Sequence, residues 1–149
     1  MTILQRLLNW VSMIFATSLV ISSFVFAYIL LTPIDVVTDW RLHVDPTTHH
    51  TGSEVVVHAT YKKLKNVGGT SYYYLECKTS RGSLVRYPIS QSEGNRPKGS
   101  GEVDIPLHLP ADLPSLPALC RIAVSVDYTI YTFRKFVENN ESNYFRVEE

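Results

Sequence analysis

Five residues with metal-ligand chemistry crowd one stretch of the sequence: His43, Asp45, His49, His50 and His58 lie within sixteen residues. Imidazole nitrogens and a carboxylate suit zinc, which needs three or four donors converging at ~2.0–2.2 Å. Their placement works against convergence. His43 falls on a predicted strand facing away from Trp40, Leu42 and Val44; His49 and His50 fall in a turn; His58 faces away from Val57 and Ala59. They meet only if the two strands pair with their outward faces aligned. They therefore read as surface histidines, with no metal and no cofactor expected.

Other catalytic patterns are missing. The sequence has no H-E-x-x-H, no G-x-S-x-G, no glycine-rich phosphate loop and no C-x-x-C. The carboxylates Glu76, Glu102, Asp104 and Asp127 are scattered. The expectation is a chain that is not an enzyme. The alternative is an envelope hydrolase or metal-dependent enzyme whose site escapes pattern reading. Asn140-Glu141-Ser142 fits the N-glycosylation acceptor, which matters only in a eukaryotic secretory pathway.

Binding rather than catalysis is suggested by the tyrosines, nine in the chain and eight of them after residue 34. Tyr72, Tyr74 and Tyr87 are the candidate binding surface, although tyrosine suits sheet packing equally well. Beyond Arg6 the chain carries 13 basic and 14 acidic residues. That balance offers nucleic acid no attractive field, and no nucleic-acid partner is expected. The local cluster Lys62, Lys63 and Lys65 reads as the solvated edge of a strand.

The element that must position all of this is the run Trp10–Leu31, twenty-two residues without a charge, inside an uncharged stretch from Leu7 to Ile34. As a helix it is ~33 Å long, about the thickness of a bilayer's hydrocarbon core. It is longer than a cleavable signal and lacks an A-x-A exit, so it reads as an uncleaved signal-anchor crossing the bilayer once. Pro33 ends the helix. Arg6 and the short tail before the run place the N-terminus in the cytoplasm, and the rest on the periplasmic or extracellular side. Ser12, Ala16, Ser23 and Ala27 share a helical stripe with Leu19, where small residues permit close helix contact and a homo-oligomer. Residues 1–34 are thus a tail and anchor, and 35–149 a separate ectodomain.

From Asp35 the hydrophobic period changes to two. Val36–Val44, Val55–Tyr61, Tyr72–Cys77, Leu84–Ile89, Val103–Leu109, Cys120–Ile130 and Tyr144–Val147 read as strands. Asp45–Thr48, Asn66–Gly69, Arg81–Ser83 and Asn139–Ser142 read as turns, and Ser92–Gly101 as a flexible loop. Pro106 marks its strand as an edge, and Pro110, Pro114 and Pro117 stiffen a connection. Seven short strands without a further helix predict a mainly β fold, an antiparallel two-sheet sandwich.

In strand number, spacing and the long penultimate strand, residues 35–149 resemble an immunoglobulin-like or fibronectin-type domain. Cys77 on the third strand, Trp40 on the first and Ala118 two before Cys120 depart from the antibody pattern. In the topology this resemblance implies, the third and sixth strands are antiparallel neighbours, so the ends carrying Cys77 and Cys120 meet. A Cys77–Cys120 disulfide then follows on an oxidising side; two buried thiols are the alternative. In layout the chain also resembles small bitopic membrane proteins encoded by phages and prophages. That resemblance implies action at a bacterial envelope, with the lipid bilayer and another envelope or membrane protein as partners.

Overall fold

The structure, a computed structural model, describes residues 3–32, 35–79, 82–113, 116–131 and 134–149. Pro33, Arg81 and Pro114 lie outside them. Two compact units follow one another in sequence, Met1–Ile34 and Asp35–Glu149.

The first unit is one helix, α1 (Ile3–Leu31). Its large apolar side chains, among them Trp10, Phe15, Phe24 and Leu31, are exposed all round. Within Gln5–Leu31 an 18-residue window has a mean hydropathy of 2.3, and the helix is long and apolar enough to cross a membrane. Two hydroxyls inside it are satisfied locally: Thr17 Oγ1 donates to the Met13 carbonyl and Ser23 Oγ to that of Leu19. Back-bonding of this kind lets a hydroxyl sit in apolar surroundings. Ser12, Ala16 and Ser23 are exposed and Ala27 half-exposed on one face.

Among the described residues the second unit has nine strands: β1 (Val37–Val44), β2 (Thr48–His50), β3 (Glu54–Lys63), β4 (Gly69–Lys78), β5 (Leu84–Gly94), β6 (Gly99–His108), β7 (Ala118–Tyr131), β8 (Arg134–Glu141) and β9 (Phe145–Glu148). They form a three-stranded sheet, β1-β3-β6, and a six-stranded sheet, β2-β9-β7-β4-β5, with β8 also on β7. Alternation turns Leu42, Val44, Val55, Val57, Ala59 and Leu107 of the small sheet inward. Tyr73, Leu75, Ile122, Val124, Phe145 and Val147 of the large sheet complete the core.

The count of seven strands is corrected to nine, and the all-antiparallel expectation to a mixed sheet. Thr48–His50, hidden behind Asp45-Pro46, pairs parallel to β9. The polar Asn139–Ser142 segment, expected as a turn, is largely strand: β8 runs through Asn139 and Asn140 opposite Ser125 and Val124. Most of the expected Ser92–Gly101 loop is also strand, at the ends of β5 and β6.

Polar β8 residues have a physical use. β1 is an edge strand, and side chains stitch its free backbone edge. Glu138 Oε1 accepts from the Val36 and Val37 amides at 3.2 and 3.1 Å, and Asn140 Nδ2 donates to the Trp40 carbonyl. Asn143 accepts from the Val44 amide and donates to its carbonyl, both at 2.8 Å. The Asn140 nitrogen that a glycan would need is thereby engaged. At the other edges Pro106 lies in β6, and β5 carries Pro88 beside a bulge. These three edges are thus blunted against pairing with another chain.

Candidate ligand cavity

Where the β1–β3 pairing begins, the two sheets part around a cavity of about 150 Å³. A bulge creates part of it. β1 pairs in register at Val37↔Lys63 and Thr38↔Lys62, then resumes at Arg41↔Thr60 with one residue extra. Asp39 absorbs the extra residue at φ 51°, a left-handed conformation that Asp tolerates better than most. Val37 and Trp40 consequently both face the cavity, joined by Tyr61 from β3, Tyr73 from β4 and Tyr128 from β7.

Two glycines clear space for two of these rings. A Cβ on Gly101 would lie 2.7 Å from the Tyr61 hydroxyl oxygen, and one on Gly69 2.9 Å from the Tyr128 ring. Both sit directly across from the tyrosine they accommodate. Burial, with the nearby Glu138 carboxylate, pushes the Tyr128 phenol well above its ordinary range, so it is a neutral hydroxyl at physiological pH.

The polar part of the wall is cationic. Lys63 is only 4% exposed. Its Nζ donates to the Val67 carbonyl at 2.6 Å, Asn95 Oδ1 at 3.0 Å and the Arg96 carbonyl at 2.7 Å. All three acceptors are neutral. Desolvation, and then the Arg96 charge, lower the Lys63 ammonium below the usual lysine range. The Arg96 guanidinium lies 5.5 Å from the centre of the Tyr61 ring. Ser71 and Ser92 add hydroxyls to the lining.

The expected sites lie elsewhere. Tyr72 and Tyr74 are on the outer face of the large sheet, while Tyr87, opposite Leu75, is on the inner side. Tyr74 is covered by Arg86, 4.8 Å from its ring centre. That guanidinium belongs to a cluster around Glu76, which is 5% exposed: Arg86 Nε donates to Oε1 at 2.8 Å, and Arg121 Nε to Oε2 at 2.9 Å. Arg121 also pairs with Glu141. Burial alone would raise the Glu76 carboxyl, but the two guanidinium groups outweigh it and hold it below the usual range. A carboxylate so fully engaged is no general base.

Directly behind this cluster, the Cys77–Cys120 disulfide expected from the sequence joins β4 and β7. The histidines divide between the two sheets. His43 lies opposite His58 and His58 opposite Asp104, with His58 Nδ1 donating to Asp104 at 2.7 Å. His49 and His50 belong to β2, in the other sheet. Among the described residues no group of three His, Cys, Asp or Glu is placed to hold a metal ion.

The cavity residues escaped the sequence reading, which put Lys63 in a solvated cluster. The signal was present: Lys63 continues the period-two series Val55, Val57, Ala59, Tyr61 that faces the core. Of its three acceptors, Val67 lies four residues on, but Asn95 and Arg96 come from a distant turn that no local pattern announces.

No protein-family model matches the sequence, and no curated protein matches it. Among solved structures the chain is similar to Spo0M, a sporulation control protein from Bacillus subtilis, at 11% identity and a TM-score of 0.48 over 78% of this chain and 51% of that one. It is also similar to the alkylpurine DNA glycosylase AlkC of Pseudomonas fluorescens, bound to DNA containing an abasic site analogue. There the identity is 14% and the TM-score 0.45, over 78% of this chain and 32% of that one. The chain thus spans about half of the first and a third of the second, and neither likeness assigns it a family or an activity.

Proposed function

We propose that the chain is a membrane-anchored, non-enzymatic binding or structural module. In this reading α1 spans a bilayer with Arg6 on the cytoplasmic side. An immunoglobulin-like domain stands on the periplasmic or extracellular side and meets another envelope or membrane protein, in the manner of small phage-encoded envelope proteins. The observation that carries the proposal is the bare apolar surface of α1. Each large apolar side chain left in water forgoes roughly 1.5–3 kcal/mol of burial, so a whole helix of them favours a lipid environment. The Cys77–Cys120 bond supports an oxidising side for the domain. Tethering confines the domain and raises its effective concentration against envelope partners.

Fractionation of bacterial cells producing the full chain tests this. The expected protein stays in membranes through alkaline extraction, and protease added to intact spheroplasts removes its C-terminal domain. Release into the soluble fraction, or a domain protected until the cells are lysed, contradicts the proposal.

A further inference from the structure

The cavity joins three features that point to a ligand rather than to a packing gap. Aromatic walls are provided by Trp40, Tyr61, Tyr73 and Tyr128, two of them made possible by glycines directly opposite. Two cations border it, and neither Lys63 nor Arg96 forms an ion pair among the described residues. A buried ammonium surrounded only by neutral acceptors leaves a charge uncompensated, a costly arrangement unless an anion completes it.

The two cations divide the work. All three Lys63 hydrogens are committed to carbonyl or amide oxygens, so Lys63 acts as a fixed positive charge. Arg96 is held by the Tyr61 ring face and keeps its planar donor fork for an acceptor. Glu93 also borders the cavity, but its register partner is Thr70, which turns its side chain to the sheet face opposite Ser71. On the Tyr128 side, Glu138 directs Oε1 to the Val36 and Val37 amides. Size narrows the choice further: an apolar cavity of about 150 Å³ accepts a molecule of benzene size.

We propose that this cavity binds a small carboxylate with a flat apolar body, its ring between the tyrosines and Trp40 and its anionic end facing Lys63 and Arg96. The site stands on the domain alone and goes beyond the anchoring role, whether or not α1 lies in a membrane.

Sodium benzoate and its neutral analogue benzamide are the probes, titrated at constant ionic strength against the full chain in dodecyl maltoside micelles. With Trp10→Phe, Trp40 is the single tryptophan and its emission reports the cavity. Benzoate is expected to bind saturably and about tenfold or more tighter than benzamide, the scale of one charge-assisted contact. Arg96→Gln, a change in the turn after β5, is expected to weaken benzoate about tenfold and leave benzamide and the thermal midpoint unchanged. Lys63→Met gives the same pattern if its midpoint shows that it folds. Equal affinity for the two probes, unchanged benzoate binding in folded Arg96→Gln, or no saturable signal from either probe overturns the proposal. None of these results depends on where the chain sits in a cell, so failure here leaves the membrane proposal standing.

Discussion

The two ends of β4 differ sharply. At the Glu76–Lys78 end the strand is fastened on both faces, by Cys77–Cys120 inside and by the Arg86–Glu76–Arg121 cluster outside. At the Gly69 end there is a glycine beneath a tyrosine ring, a buried ammonium and a left-handed residue across the gap at Asp39. Bulges, positive φ and unpaired buried charge each cost stability. Concentrating cross-strand links at one end lets the fold carry those costs at the other and keep a cavity open there. In a domain this small, a fastened end and an open end divide stability from the proposed recognition.

Loosening the fastened end should have the largest effect. Cys77→Ser with Cys120→Ser closes off a bond across 43 residues, and in the loop-entropy view its loss costs about 4 kcal/mol, read as a lower urea midpoint. Glu76→Ala leaves Arg121 facing a buried gap and should cost about 3 kcal/mol, whereas Arg86→Ala, whose side chain is largely exposed, should cost under about 1 kcal/mol. Equal losses in the two variants would show that the cluster is merely a surface pair.

At the open end, Gly69→Ala drives a methyl into the Tyr128 ring and the Asp127 carbonyl, for an expected loss of about 1–3 kcal/mol with Trp40 emission altered. Asn143→Ala unfastens both polar groups of Val44 and should cost about 1 kcal/mol, seen as faster amide exchange along β1. The smallest effect expected is in pH dependence, where the ends have opposite signs. The Glu76 carboxyl is held below its ordinary 4.5, so its stabilisation is present above that value and is lost as pH falls through the lower folded value. The Glu138 carboxyl is raised above 4.5 by burial and the Asp35 charge, against the Val37 and Val36 amides. Its contribution is present below 4.5 and lost as pH rises through the raised folded value. Urea midpoints of Glu76→Gln and Glu138→Gln between pH 3 and 7 should therefore lose opposite slopes.

Much of this frame was legible in the sequence. Period-two alternation located seven strands, Pro106 marked an edge, and the strand pairing implied by the sandwich resemblance brought Cys77 and Cys120 to the bond now seen. What escaped depends on interactions that carry no local period. β2 and β8 are short or polar strands that rely on distant partners, and the bulge at Asp39 shifts the phase that alternation assumes. A second bulge, between Tyr73 and Tyr74, likewise separates the faces of β5, so Tyr87 does not join Tyr72 and Tyr74. Lys63 was overlooked because a charged residue in a run of lysines reads as solvated, and only the meeting of two turns shows otherwise.

The proposed placement ties the apolar helix and the disulfide to a single circumstance, a domain carried across a membrane into an oxidising space. Non-reducing thiol alkylation of the full chain recovered from the membrane fraction, read by intact mass, tests both together. The predicted result is membrane-bound protein with neither Cys77 nor Cys120 alkylated until a reductant is added. Two alkylated cysteines without reductant, or a chain recovered chiefly from the soluble fraction, would contradict it.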